Sequence, residues 1–391
     1  PEPSYPEVEY DYPARLEYNN PSRLSYAIPD VRADRLAVIN ELVSKYPSDG
    51  IELNMQDYGP FIARREVAEH TETMTEWMRE IRETCDRAAT GQGRSKRIVV
   101  RVGATIEGNK AMGMDLETWM RERLVDSVIA MQVVGGFDND TSGLREIVSA
   151  ADGTNVGVLA GMETTNHLEF SAEVVCAAAT NAYAAGAQGV FVHTYYPMPS
   201  RYPYDNEAMG RLRFMGYPDL LAHKDKKFRL GITKKESSAP SYGLKEQLPL
   251  AIKLGARDPD ITLEVWDEIA KKFQLGELWR CELRVLLQHL TYDDQIRLWW
   301  NGEEIPASST RKADWTYQLR PHPGYAVNAY RLHADLKNLK RLPKVGVNTI
   351  RIEVLKKDVQ LIHPITVADV ELVVDYLPHR NALRDRERYF T

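Results

Sequence analysis

The alternation of apolar and polar residues divides the chain into two textures. From Val31 to Tyr46 the apolar Leu36, Ile39, Leu42 and Val43 recur at helical spacing. The Asp49-Gly50 turn then opens a strand in which Ile51, Leu53 and Met55 fall on one face and Glu52, Asn54 and Gln56 on the other. This helix-then-strand unit repeats. Helix Glu66 to Ala89 leads to strand Arg97 to Val102, and helix Leu116 to Leu124 to strand Ser127 to Val134. Leu144 to Ala150 precedes strand Val156 to Met162, and the alanine-rich helix Ser171 to Ala185 precedes strand Gly189 to Thr194. Five strands alternating with helices predict a parallel sheet covered by helices. Runs such as Ile98-Val99-Val100 and Gly189-Val190-Phe191-Val192 are continuously apolar, as strands buried on both faces are. A doubly wound sheet fits the same pattern. No Gly-rich phosphate loop follows a strand, however, and Gly91-Gln92-Gly93-Arg94 precedes one, which argues against nucleotide binding.

Beyond Lys224-Asp225-Lys226-Lys227 and the Ser/Pro stretch from Ser237 to Tyr242, strands and turns replace helices. Candidate strands are Leu248 to Leu254, Ile261 to Trp266, Trp279 to Leu287, Gln295 to Trp300, Trp315 to Leu319, Tyr330 to Leu336, Thr349 to Leu355 and Val367 to Tyr376. Asn301-Gly302 marks a tight hairpin. The fold expected is α/β: a TIM-type (β/α) barrel portion over residues 1–240, then an all-β jelly-roll-like sandwich over 241–378 and a charged tail over 379–391. The first thirty residues, rich in Tyr and Pro, read as an ordered excursion of the kind that builds substrate clefts.

Composition narrows the partners. The 391 residues, 43% hydrophobic, are enough for two cored domains, and a net charge of −6 with no basic stripe disfavours nucleic acid. No apolar run reaches the length of a membrane helix, so membrane insertion is not expected. The chain opens Pro1-Glu2-Pro3 with no apolar leader, a start that suggests processing or truncation. Cys85, Cys176 and Cys281 are far apart, so at most one disulfide is expected and no zinc site. Neither a metal nor a cofactor is predicted, since the His-x-His spacing of metal-dependent hydrolase barrels is missing. Asn139-Asp140-Thr141 is a glycosylation sequon and gives slight support to an extracellular or secretory location.

The chemistry concentrates on the first strand. One carboxylate and two amides in a row, Glu52, Asn54 and Gln56, are costly to bury unless they line a solvated pocket or form a satisfied network. The C-terminal ends of barrel strands are where such pockets sit. Arg101 shares the parity of Val99 and either pairs with Glu52 or meets a ligand oxygen; the ion pair is the expected role. His193, Tyr195 and Tyr196 close the last strand, where an aromatic ring either stacks on a sugar or packs the rim. Asn166 and His167 follow Glu163 and are positioned to bond hydroxyls. Trp299 and Trp300 face opposite sides of their strand, so at most one is core and the other is free to act as a platform.

The stretches Val31-Arg32-Ala33-Asp34-Arg35-Leu36, Asp49-Gly50-Ile51-Glu52-Leu53 and Val100-Arg101-Val102-Gly103-Ala104-Thr105 resemble glycoside-hydrolase-like (β/α) barrel proteins of polysaccharide-degrading bacteria. Leu283-Arg284-Val285, Leu298-Trp299-Trp300-Asn301-Gly302-Glu303 and Asn348-Thr349-Ile350-Arg351-Ile352 look like their C-terminal β-sandwich. The resemblance implies a polysaccharide or glycan partner and a carboxyl pair, Glu52 on the fourth strand and Glu163 on the seventh, with Asp57 as a substitute acid. Substrate contacts would come from Asn54, Gln56, Arg101, Asn166, His167, His193 and Tyr195. Glu163 has structural alternatives as a helix cap or a partner of Arg101. Two departures qualify the enzyme: family members usually carry Asp where Asn54 stands and commonly Pro where Gly103 stands. Counting back from the last strand makes the Glu52 strand the fourth, so three units are expected from an upstream segment or another chain, because a barrel closes with eight. The alternative implied is a catalytically silent glycan-binding or structural relative.

Overall fold

The computed structural model describes residues 24–56, 61–131, 140–163, 171–193, 212–231, 247–255, 259–314, 329–360 and 362–381. Helix α1 (Pro29–Lys45) begins with Pro at its first position, where the missing N–H costs nothing, and buries Val31, Ile39 and Val43. Strand β1 (Gly50–Asn54) follows. Gly50 is required there, since a Cβ would lie 2.0 Å from the Arg97 carbonyl oxygen of the neighbouring strand. Helix α2 (Val67–Gln92) buries Met74, Trp77, Met78, Ile81, Cys85 and Ala88 as one stripe. It stops at Gly93, whose left-handed conformation lets its N–H cap the Ala89 carbonyl.

Strand β2 (Arg97–Gly103), short helices α3 (Ile106–Lys110) and α4 (Leu116–Arg121), strand β3 (Ser127–Met131), helix α5 (Ser142–Ala151), strand β4 (Gly157–Glu163), helix α6 (Ala172–Ala184) and strand β5 (Gly189–His193) complete this part. The five strands are parallel and lie in chain order, forming a curled, open half-barrel rather than a closed barrel. Its outer face is the core. Ile98, Val100, Val102, Val128, Ala130 and Val158 pack against Trp77, Met78 and Ile81 of α2 and Trp119 and Met120 of α4. Each such large side chain contributes roughly 1.5–3 kcal/mol on burial. Ala160 and Met162 meet Val175, Cys176 and Ala179 of α6, whose small residues allow close approach. All three cysteines are buried and free, so the one disulfide allowed by their number is not formed.

The second part contains strands β6 (Lys226–Gly231), β7 (Leu250–Ile252), β8 (Ile261–Val265), β9 (Leu278–Gln288), β10 (Gln295–Trp300), β11 (Glu303–Ile305), β12 (Thr310–Asp314), β13 (Ala329–Asp335), β14 (Gly346–Lys356) and β15 (Ile365–Tyr376). They form two antiparallel sheets, in orders β12-β13-β9-β15-β6, with β7 also on β15, and β11-β10-β14-β8. One apolar cluster joins both inner faces, with Val285, Leu332 and Leu372 from the first and Leu263, Trp300 and Ile352 from the second. The Asn301-Gly302 turn has both residues at positive φ, 50° and 85°, and sets Trp300 opposite Glu303. Trp300 is core, and the ring of its half-buried neighbour Trp299 lies 4.3 Å from the Arg351 guanidinium.

β6 emerges from a stretch whose charge alone marks it as a junction. Lys226 is wholly buried: its Nζ donates to the Leu221 carbonyl at 2.6 Å and the Lys224 carbonyl at 3.2 Å, and pairs with Asp267 Oδ2 at 2.8 Å. The Tyr376 hydroxyl donates to the same Asp267 oxygen at 2.7 Å, and burial, followed by the Asp267 charge, pushes that phenol well above its ordinary value.

The two parts are locked together at β8. The Glu264 carboxylate accepts from Thr141 N at 3.0 Å, Thr141 Oγ1 at 2.6 Å and Trp266 Nε1 at 2.6 Å. The Asn181 amide of α6 donates to the Glu264 carbonyl and accepts from Trp266 N, both at 3.0 Å. Thr141, the hydroxyl residue of the sequon, is therefore committed to this contact, while Asn139 lies outside the described residues.

Candidate functional site

The inner face of the half-barrel is built by parity. Because Ile51 and Leu53 turn outward, Glu52 and Asn54 turn inward, and the strand register places Asn54 beside Arg101, Arg101 beside Ile129, Met131 beside Gly161 and Glu163 beside His193. Gly161 leaves room for its neighbour: a Cβ there would stand 2.6 Å from the Met131 Cβ. The face is thus a small apolar floor, Val99, Ile129, Met131, Leu159 and Phe191, with polar groups toward the C-terminal ends of the strands.

Arg101 is the centre of this arrangement. It is only 7% exposed. Its Nε donates to Glu52 Oε1 at 2.9 Å, and its Nη2 donates to the same oxygen. Its Nη1 lies 2.6 Å from His193 Nδ1, and its guanidinium carbon sits 4.7 Å from the centre of the Phe191 ring. A guanidinium has donors only, so in this contact His193 Nδ1 is the acceptor. The contact runs from β2 to β5 over two intervening strands, a reach that the curl of the sheet makes possible. Glu52, by contrast, is half-exposed.

Of the positions that the sequence singled out, Glu52, Asn54, Gln56, Arg101 and His193 gather at this end of the sheet. Asn54 accepts from the Gln56 backbone N–H at 3.2 Å through its side-chain oxygen. Glu163 ends β4, and its backbone is in register with His193. Asp57, Asn166, His167, Tyr195 and Tyr196 lie outside the described residues. Sequence reasoning missed two participants. Phe191 was hidden in an apolar run, although its spacing of two from His193 puts both on one face. Asn109 ties off the end of β2: its amide accepts from Gly103 N at 2.8 Å and donates to Gly103 O at 2.8 Å and Thr105 O at 2.6 Å. A proline at 103 would remove the first of these bonds, which gives the absence of proline there a structural reason.

A second concavity, a cleft of about 210 Å³, opens at the junction of the two parts between Tyr183, Leu221, Trp266, Asp267, Glu268 and Lys272. Of its two acids, Asp267 is already shared between Lys226 and Tyr376, and Glu268 pairs with Lys271. Among the described residues no group of His, Cys, Asp and Glu is arranged to hold a metal ion, and no helix is long and apolar enough to cross a membrane.

The chain matches no family model and no curated protein. Among solved structures, it is similar to a glycoside hydrolase family 18 N-acetylglucosaminidase from Paenibacillus barengoltzii, with 13% identity and a TM-score of 0.31 over 49% of this chain and 77% of that one. A chitinase from Bacillus thuringiensis shares 8% identity at a TM-score of 0.34, over 85% of this chain and 76% of the other. A family 18 chitinase from Chromobacterium violaceum shares 10% at 0.23, over 89% and 71%. At TM-scores below 0.5 these likenesses carry no argument about this chain's site or chemistry.

Proposed function

We propose that the protein is a catalytically silent carbohydrate-binding relative of the glycoside-hydrolase-like barrels, using the inner face of its half-barrel as the binding surface. The observation that carries this reading is the engagement of Glu52. A general acid must aim its carboxyl at the glycosidic oxygen, and a retaining pair must stand about 5 Å apart. Glu52 Oε1 instead accepts twice from Arg101. Asn54 beside it neither donates a proton as an acid nor attacks as a carboxylate. What remains suits binding: fixed hydrogen-bonding groups and a Phe191 ring at the C-terminal ends of parallel strands.

The rest of the chain fits a scaffold role. Strand orders β6-β15-β9-β13 and β8-β14-β10-β11 support a jelly-roll connectivity for the sandwich. Among the described residues β1 and β5 each pair on one side only, which supports completion of the wall by further strand-helix units from another segment or chain. An extracellular setting, where polysaccharides are met, belongs to the same reading. The test is paired. Oligosaccharides of N-acetylglucosamine, glucose and mannose are titrated calorimetrically and also incubated for product analysis. Binding without cleavage is expected. Cleavage that disappears in both Glu52→Gln and Glu163→Gln would restore the hydrolase and overturn the proposal.

A further inference from the structure

The half-barrel sheet ends in two edges of matching kind. In a parallel ladder the backbone groups of successive residues point alternately to the two neighbouring strands. The Arg97 N–H donates to the Asp49 carbonyl and the Met55 N–H to the Arg101 carbonyl, both at 2.8 Å. The odd-numbered residues of β1 therefore serve β2, and the backbone of Glu52 faces the open side. On β5 the Gln188 N–H donates to the Val158 carbonyl at 2.8 Å, so the even-numbered residues serve β4 and the backbone of Phe191 faces outward. Among the described residues neither edge has a partner strand, a condition that invites pairing with another chain.

Each edge is accompanied by apolar side chains that the fold leaves in water. Val38, Leu42 and Tyr46 recur every fourth residue along α1 and its C-cap, beside the buried Val31, Ile39 and Val43, and each is about half exposed. After β5, Phe214 and Met215 pack into the same cluster as Val190 and Val192, and residues 212–221 leave Leu212, Tyr217 and Leu220 exposed. Grouped apolar exposure of this kind marks an interaction surface. What fits β1 is a strand parallel to it, with a free edge of its own and an apolar helical segment behind it. β5 has all three, but β2, β3 and β4 hold it away from β1 of the same chain.

We propose that these edges form a self-association surface: β1 of one copy pairs in parallel with β5 of a second copy, α1 packs against residues 212–221 across the joint, and the reciprocal joint closes a dimer. This rests on the incomplete wall described above and names what completes it. The candidate site is completed as well. Glu52, half-exposed on the edge strand, then stands beside a second β5, the strand that carries Phe191 and His193.

The full chain is tested by sedimentation equilibrium and amide hydrogen exchange. The expected mass is twice the 44.5 kDa of one chain, with slow exchange at Glu52 and Phe191. Leu42→Lys, which sets a charge against the joint, should raise the dissociation constant roughly tenfold or more. Leu220→Lys, across the joint, should do the same, and serves alone if the first variant does not fold. Mixing the two variants should restore association, because one of the two joints in the mixed dimer is then free of lysine. Weakening by only one variant, no recovery on mixing, or a dimer that exchanges Glu52 rapidly would overturn the β1–β5 pairing. Association that grows without limit with concentration would keep the pairing and overturn the closed dimer. A monomer with rapid exchange at Glu52 would overturn self-association and leave the incomplete wall standing. A monomer in which Glu52 is protected would overturn both, since the chain then covers its own edge. None of these readouts involves a glycan, so the carbohydrate reading stands or falls separately.

Discussion

Replacing Lys226 by methionine isolates the cost of an uncompensated charge at the joint between the two halves. The side chain is 0% exposed and all three ammonium donors are spent, on Asp267 at 2.8 Å and on the carbonyls of Leu221 and Lys224. Methionine fills most of the same space. The Asp267 carboxylate, itself 7% exposed, would keep only the Tyr376 hydroxyl and the Glu268 backbone N–H as donors. Leaving one member of a buried pair alone costs about 3–5 kcal/mol, and the two abandoned carbonyls place this site toward the upper end. In Lys226→Met/Asp267→Asn the charge is gone while the amide still bonds both neighbours, so the double variant should recover to within about 1–2 kcal/mol of wild type. Urea unfolding followed by tryptophan fluorescence reads both, since Trp266 adjoins Asp267. A single variant within about 1 kcal/mol of wild type, or a double variant no better than the single, would refute the claim that charge compensation holds β6 to the sandwich.

Other consequences are as direct. Burial works against ionisation of Glu282, but its bond to His333 and its pairing with Arg284 prevail and hold the carboxyl at about 2, below the ordinary 4.5. A folded value below the unfolded one adds stability above pH 4.5 that is lost as the pH falls toward 2, here about 3 kcal/mol at most. The stability gap between wild type and Glu282→Gln should accordingly close over that interval in an acid titration; a gap independent of pH would contradict it. Gly161→Ala forces a Cβ to 2.6 Å from the Met131 Cβ and should cost about 1–3 kcal/mol by thermal denaturation, with an unchanged midpoint as the contrary result. Burial pushes the Cys85 and Cys281 thiols up and the Cys176 thiol to about 11, so a thiol reagent at pH 8 should label the protein only after unfolding. Labelling of the native chain would show that a thiol is exposed.

Much of the architecture was legible because its signals are local. The longer helices of the first part are stripes of apolar residues and most of its strands apolar runs closed by a turn, with bounds within a few residues of those expected; α3, which buries Gly108 and Asn109, carried no such stripe, and the expected strand Trp315 to Leu319 lies outside the described residues. At α4, for example, the helix ends at Arg121 where the apolar pattern ran on to Leu124. The Asn301-Gly302 hairpin followed from two residues that tolerate positive φ. Strands β6, β11 and β12 were not legible. Lys-Lys-Phe-Arg, Glu-Glu-Ile and Thr-Arg-Lys-Ala-Asp are short and charged, and they become strands because a neighbouring strand supplies backbone partners.

Parity along β1 and β2, a property of sequence, was enough to bring Glu52, Asn54 and Arg101 to one face and to make their pairing the natural expectation. What parity does not contain is distance across the sheet. Arg101 meets His193 and Phe191 on β5 only because the sheet curls and folds an inner face upon itself. Likewise Lys226 reads as a surface charge until Asp267 and Tyr376, 41 and 150 residues further on, close over it. Local spacing decides which way a side chain points. Tertiary structure alone decides what it meets and whether water is left beside it, and the availability of water determines whether a polar group is paired, stranded or ready for a ligand.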